Sequence, residues 1–214
     1  MVFGKLQPLN RRLFFILLAM ISLAVMANYH SVIQRTVKRK ADPTWKLDAD
    51  KFSDGDLIFR KGRDLVSRLV LSQGNSAQFS HVGVIVKNKG IVSVVHSLPE
   101  DAVSVPGVQI EPLRKFASFD NASDIAVYRL KEMDARVRKK ITAYILHQVG
   151  KPFDASFLLS TDDSIYCTEL AVKAFMHAGV EFSDLELIDV MLIDEPVITP
   201  DHLRQSERLE RIKL

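Results

Sequence analysis

The sequence holds a single cysteine, Cys167, among 214 residues. One thiol cannot form an internal disulfide, and it is too few for a Cys-rich zinc or iron–sulfur site. Long hydrophobic runs are scarce as well. The longest covers residues 13–27, fifteen residues interrupted only by Ser22, short of the roughly 20 that span a bilayer. Acidic residues are missing from the first 41 positions, which carry seven Lys and Arg. The other 22 basic residues meet all 26 acids over residues 42–214, a net −4 inside a chain of net +3. That balance excludes a basic nucleic-acid-binding domain. Glycine and proline are modest at nine and eight, and 47% of the residues are hydrophobic, which excludes a disordered chain and fits one domain with an appendage. No internal repeat is visible.

What the head does contain is a pattern of export. Arg11 and Arg12 precede the apolar run, as an n-region precedes an h-region. The run ends in Val25-Met26-Ala27 before Asn28, so residues 1–27 read as a signal peptide or as an uncleaved signal anchor. The mediocre cleavage site tilts the reading toward an anchor held in the inner membrane. The sole cysteine lies far from the N-terminus, which excludes a lipobox. Residues 28–51 are basic and of mixed character, and read as a juxtamembrane linker. Residues 52–214 read as the folded domain.

Within that domain, short strands alternate with helices. Residues 57–60, 79–87, 91–96, 108–111 and 125–130 have strand character, with a hairpin turn at residues 87–90. Helical spacing marks residues 64–73, 113–117, 134–150 and 167–178, the last closed by Gly179. The tail predicts a strand near residues 188–193 and a charged end. A meandering, mostly antiparallel sheet packed on helices is an α+β architecture.

Cys167 carries the first chemical hint. It opens a helix, where unpaired N–H groups and the dipole favour a thiolate. A buried, inert thiol is the competing reading, since free cysteine is often a small core residue. A nucleophilic thiol needs a base, and His81 begins a strand while His96 closes the next. Folding the hairpin at residues 88–89 sets His81 opposite His96. One imidazole can then act as base and the other as its orienter. His30, His147, His177 and His202 read as ordinary surface or core histidines. Asp154, Asp162 and Asp163 read as solvated loop acids, and Glu169 as a helix-capping carboxylate.

Four segments occur in order: Gly55-Asp56-Leu57-Ile58-Phe59, Phe79-Ser80-His81-Val82-Gly83-Val84-Ile85, Pro152-Phe153-Asp154 and Tyr166-Cys167-Thr168-Glu169-Leu170. Together they resemble the YiiX/YebB-like, circularly permuted branch of the NlpC-type papain-like cysteine hydrolases, over roughly residues 52–180. The resemblance implies a permuted papain-like fold with His before Cys. It implies Cys167 as nucleophile, His81 as general base and His96 as the third polar residue. Many members carry Glu at that third place, and an imidazole there brings no fixed negative charge. Backbone N–H of Cys167 would stabilise the oxyanion, with Tyr166 and Asp56 as supports. No cofactor and no metal are expected.

The leading expectation is thus an exported thiol hydrolase cleaving an amide, such as a cell-wall peptide, through an acyl-enzyme. Two alternatives share the fold: a lipid-directed acyl hydrolase or acyltransferase, and a membrane-tethered module that binds without turnover. A three-ligand zinc set of His81, His96 and Cys167 is a weaker fourth reading.

Overall fold

The β-branched residues after Ser80 and after Gly90 form two strands, β2 (His81–Asn88) and β3 (Ile91–Leu98), in a computed structural model. It describes residues 45–63, 77–100, 105–190 and 193–214. The two-residue turn holds Lys89 at φ 48° and Gly90 at φ 82°, the left-handed pair that matches hairpin twist. Pairing runs from Val84↔Val95 to Asn88↔Ile91. Continued back, this register sets His96 beside Gly83 and two residues along from His81, so the expected direct opposition is corrected to a diagonal. A shift of two residues preserves the face, so both imidazoles still share one side of the sheet.

Strand β1 (Leu57–Gly62) lies between β2 and β5 (Ala122–Leu130), β4 (Gly107–Pro112) extends the sheet beyond β3, and β6 (Leu209–Ile212) closes the far side. All pairings are antiparallel, in the order β4-β3-β2-β1-β5-β6. The α+β expectation of an antiparallel sheet packed on helices therefore holds for the described residues.

Strand alternation divides the interior in two. Leu57, Phe59, Val82, Val84 and Val95 face the helices Ala135–His147 and Cys167–His177, where Ile141, Ile145, Leu170 and Phe175 meet them. Ile58, Ile85, Val94 and Val127 face the other way, onto Phe52 and the short helix Leu113–Phe116. Each such fully buried side chain contributes about 1.5–3 kcal/mol. Trp45 stacks on Phe119 with centroids 4.7 Å apart, so the end of the segment read as linker already joins the packed body.

Helix ends follow their caps. Asp134 accepts from Val137 N–H at 2.7 Å at the start of Ala135–His147, which is shorter at both ends than the predicted 134–150. The Cys167 helix ends at Ala178, and Gly179 follows at φ 87°, the left-handed position glycine tolerates. The tail, predicted only as a charged end, contains a helix, Pro200–Gln205, begun by Thr199 and Pro200, and strand β6. The predicted strand at residues 188–193 is reduced to one bridge, Ile188↔Val197, with residues 191–192 outside the described set. The predicted helix 64–73 and the apolar segment 13–27 lie outside it as well. Among the described residues, no helix is long and apolar enough to cross a membrane.

Candidate active site

His81 is the first residue of β2, and the chain entering it is pinned on two sides. The Asp201 carboxylate accepts from the N–H groups of Gln78 and Phe79, at 2.5 and 3.0 Å. The Ser80 hydroxyl accepts from Gly62 N–H at 2.9 Å. On the Cys167 helix, Glu169 accepts from Tyr166 N–H at 3.2 Å and pairs with Lys173 at 2.8 Å. This fixes the first turn that carries Cys167. A third tie joins β3 to the segment that leads into the helix: buried Ser97, next to His96, donates to Ile165 O at 2.7 Å. The two ends of the site are thus held by short, mostly buried hydrogen bonds.

The Cys167 sulfur is half-buried, 3.8 Å from the Thr168 hydroxyl and against the backbone N–H of Val82, the residue after His81. The thiol meets the His81 strand through that N–H, and no hydrogen bond joins sulfur and imidazole. Such bonds are often loose in ligand-free enzymes and tighten around substrate.

The two imidazoles are directly linked. His81 Nε2 lies 2.8 Å from His96 Nδ1, with both rings buried. Beyond His96 stands a residue the sequence reading passed over. Glu111, on β4, places Oε1 3.0 Å from His96 Nε2, a short contact without the directionality of a good hydrogen bond. Its Oε2 meets Lys115 at 3.0 Å, and Arg60 Nη1 lies 3.9 Å from Oε1. Arg60 pairs with His81 across β1 and β2 and sets its guanidinium over the Phe116 ring at 4.6 Å. Hence the expected lack of a fixed negative charge near His96 is corrected, because the carboxylate sits one strand further out. Alternation was the missed signal: Val108 and Ile110 share one face of β4, which leaves Gln109 and Glu111 on the face of His96.

Electrostatics follows from burial. Desolvation pushes the His81 imidazole well below its usual range, and the Arg60 charge pushes it further. His96 is also lowered by burial, in part offset by Glu111. Glu111 is held down at about 2, against its own burial, by His96 and Lys115. Burial drives the Cys167 thiol up, with Val82 N–H and Thr168 pulling back. Both shifts run toward a neutral thiol and a neutral imidazole, the direction of the buried-thiol reading rather than of the thiolate that the helix start favours.

Of the two expected supports, Asp56 occupies another place, whereas Tyr166 stays next to Cys167. Asp56 accepts from Ser53 N–H at 2.8 Å and takes Arg129 in a two-pronged pair at 2.7 Å. Its backbone oxygen accepts from Ile85, four residues along β2 from His81, or about 13 Å at strand rise. The structure does not bring it to the sulfur. Tyr166 caps the Cys167 helix, and its hydroxyl accepts from Ile198 N–H at 3.4 Å. Its ring sits 5.3 Å from that of Phe157, which in turn meets Phe153 at 5.8 Å.

Gly83 is required by this packing. A Cβ there would lie 2.3 Å from Val94 Cγ1 and 3.2 Å from His96 Cβ, so only glycine lets β3 carry His96 this close.

Comparison with curated proteins returned no match. Among solved structures, the crystal structure of the metalloprotein YiiX from Escherichia coli O157:H7 is similar, with a TM-score of 0.63 and 20% identity. The alignment covers 76% of this chain and 97% of that one, and at such identity it shows a common fold. A family model described as a permuted papain-like amidase enzyme, YaeF/YiiX, C92 family, matches residues 51–213. With His81 preceding Cys167 in the chain and that match spanning most of it, the protein belongs to the permuted papain-like amidases of the YaeF/YiiX family.

Proposed function

We propose that this amidase is an exported thiol hydrolase that opens the amide bond of a cell-wall peptide or related amide through an acyl-enzyme on Cys167. The observation that carries the reading is the seating of Cys167 at a helix start, against the N–H of Val82, the residue after His81, whose Nε2 is tied to His96 at 2.8 Å. That tie leaves His81 Nδ1 as the nitrogen not engaged by His96.

The steps follow from a neutral resting pair. His81 Nδ1 takes the thiol proton as sulfur attacks the carbonyl carbon. The new oxyanion forms near the Cys167 N–H, at the positive end of its helix. Collapse breaks the C–N bond, and His81 returns the proton to the leaving nitrogen. Water then gives a proton to His81 and adds to the thioester, and the departing sulfur is reprotonated. General base catalysis of this kind supplies about 10²–10⁴ in rate.

Export rests on the basic and then apolar pattern of residues 11–27. An envelope location would bring wall peptides within reach. The partly exposed rings of Phe153 and Phe157, which run up to Tyr166, favour a second reading, a lipid acyl group as substrate. The metal of the metalloprotein YiiX is not carried over to this chain. The facing nitrogens of His81 and His96 are spent on each other, and among the described residues no group of three metal-ligating side chains is assembled.

Hydrolysis of matched peptide amides, wall peptides and long-chain acyl esters by the wild type and by Cys167→Ala tests this reading. Turnover of the amides by the wild type alone is expected. Undiminished turnover by Cys167→Ala would remove the mechanism, and preference for the long acyl esters would move the substrate to lipid.

A further inference from the structure

We propose that Glu111 is a positioning residue for His81, acting through His96, so that the site is a four-residue chain of Cys167, His81, His96 and Glu111. The inference rests on Cys167 as nucleophile and His81 as base.

Placement gives the first argument. Glu111 belongs to β4, the outermost strand on its side, where a carboxylate would ordinarily reach into water. Instead it is only 6% exposed. A buried carboxylate is costly unless it is paired. Its two oxygens divide the work: Oε2 meets Lys115, whose side chain is 61% exposed, while Oε1 turns inward to His96. A simple surface ion pair with Lys115 would have no use for the inward oxygen.

Proton placement gives the second. An ionised Glu111 can only accept, so the proton of neutral His96 belongs on Nε2. His96 Nδ1 is then an acceptor, and at 2.8 Å it must receive a proton from His81 Nε2. The neutral His81 that results has its lone pair on Nδ1, the form a general base for the thiol requires. Reversing any member of the chain would set two lone pairs or two protons against each other. One carboxylate thus selects the tautomer of both rings.

Charge gives the third. Around the two imidazoles stand Arg60 from β1, Lys115 from the helix Leu113–Phe116, whose Phe116 ring meets both, and Glu111 from β4, while Cys167 meets the His81 strand at Val82 N–H. Glu111 is the one resting anion in that set, among the described residues. Without it, the positive charge that His81 acquires on taking the thiol proton would meet two cations and no counter-charge.

The test is the pH–rate profile of the purified full-length protein with p-nitrophenyl acetate as acyl donor. Glu111→Gln keeps the shape and removes the charge. It is expected to lower kcat by about tenfold or more, a part of what general base catalysis supplies, with KM within about twofold. The acid limb, where His81 becomes protonated, is expected to move to lower pH, because losing an anion makes the imidazolium less favourable. Adding His96→Glu to that variant returns a carboxylate to the neighbourhood of His81, and should recover part of kcat and move the limb back up. An unchanged profile, or a fall in kcat with the limb unmoved, would make Glu111 a structural ion-pair residue and overturn the proposal. A measurement on the wild type needs no variant. The imidazole 15N shifts of His96 should show a protonated Nε2 and an unprotonated Nδ1, and the opposite tautomer would overturn the proposal equally. Failure of the underlying reading is seen separately, as activity persisting in Cys167→Ala.

Discussion

The thiol is where competing effects are most finely weighed. A helix N-terminus stabilises an anion by about 0.3–1 kcal/mol when exposed, whereas burial of Cys167 drives its pKa upward. Desolvation wins, and it also holds His81 neutral. A resting thiolate–imidazolium pair would react with iodoacetamide at nearly constant rate from mildly acidic pH upward. For a neutral thiol, the alkylation rate of Cys167 should instead climb through and beyond pH 8.5, the usual range of a free thiol being about 8.5. Catalysis differs, because it needs only a neutral His81. Its acid limb should therefore lie below the usual imidazole value of about 6.5. A flat alkylation profile from pH 5 to 9 would show that substrate-free Cys167 is already ionised.

The elements of the site are held by contacts that reach far along the chain. Within the hairpin the fit at Gly83 is tight, since a Cβ would fall 2.3 Å from Val94 Cγ1 and 3.2 Å from His96 Cβ. Gly83→Ala should destabilise the protein by about 1–3 kcal/mol through overpacking, read as a lower denaturation midpoint. It should also cut kcat, because relief of the clash moves β3 and the His96 ring with it. Wild-type stability in that variant would show the sheet has room not seen here. Hairpin and helix were legible in the sequence because their signals are local: the β-branched run after Ser80, a turn within residues 87–90, and Gly179 closing the Cys167 helix, although the turn is centred at Lys89-Gly90, one residue later than the expected 88–89. The face of His81 and His96 was legible for the same reason, as it depends only on strand parity. Their exact register was not, since a slip of two residues leaves the pattern of buried and exposed positions unaltered. Glu111 and Arg60 were missed because their meaning arises only when β4 and β1 flank the hairpin, across 15 residues of chain from His96 to Glu111 and 51 from Arg60 to Glu111. Asp56 was read as a support of the site because its distance from Cys167 along β2 was not legible.

At the scale of the whole molecule, the buried chain of titratable groups couples activity to stability. His81 and His96 have folded pKa values below their unfolded ones. Between those lowered values and about 6.5 the unfolded chain binds protons that the folded one refuses, so stability falls on acidification. Glu111 acts in the same sense lower down: its contribution is intact above the usual 4.5 and is lost as pH falls toward about 2. Each imidazole contributes a slope of up to about 1.4 kcal/mol per pH unit. Urea midpoints should therefore drop from pH 7.5 to pH 5, and His96→Gln should flatten that slope. Equal midpoints at the two pH values would show that the imidazoles titrate normally and that the site is open to water.

All of this converges on one sulfur atom, and intact-protein mass spectrometry addresses it most directly. Rapid acid quench of the full-length protein during turnover of a p-nitrophenyl acyl ester should show a population heavier by one acyl group. Peptide mapping should place that group on Cys167, and hydroxylamine should remove it. Cys167→Ala should show no such population and no turnover. Turnover by the wild type with no acyl adduct on Cys167 under any quench time, or an adduct and turnover that survive in Cys167→Ala, would contradict the account.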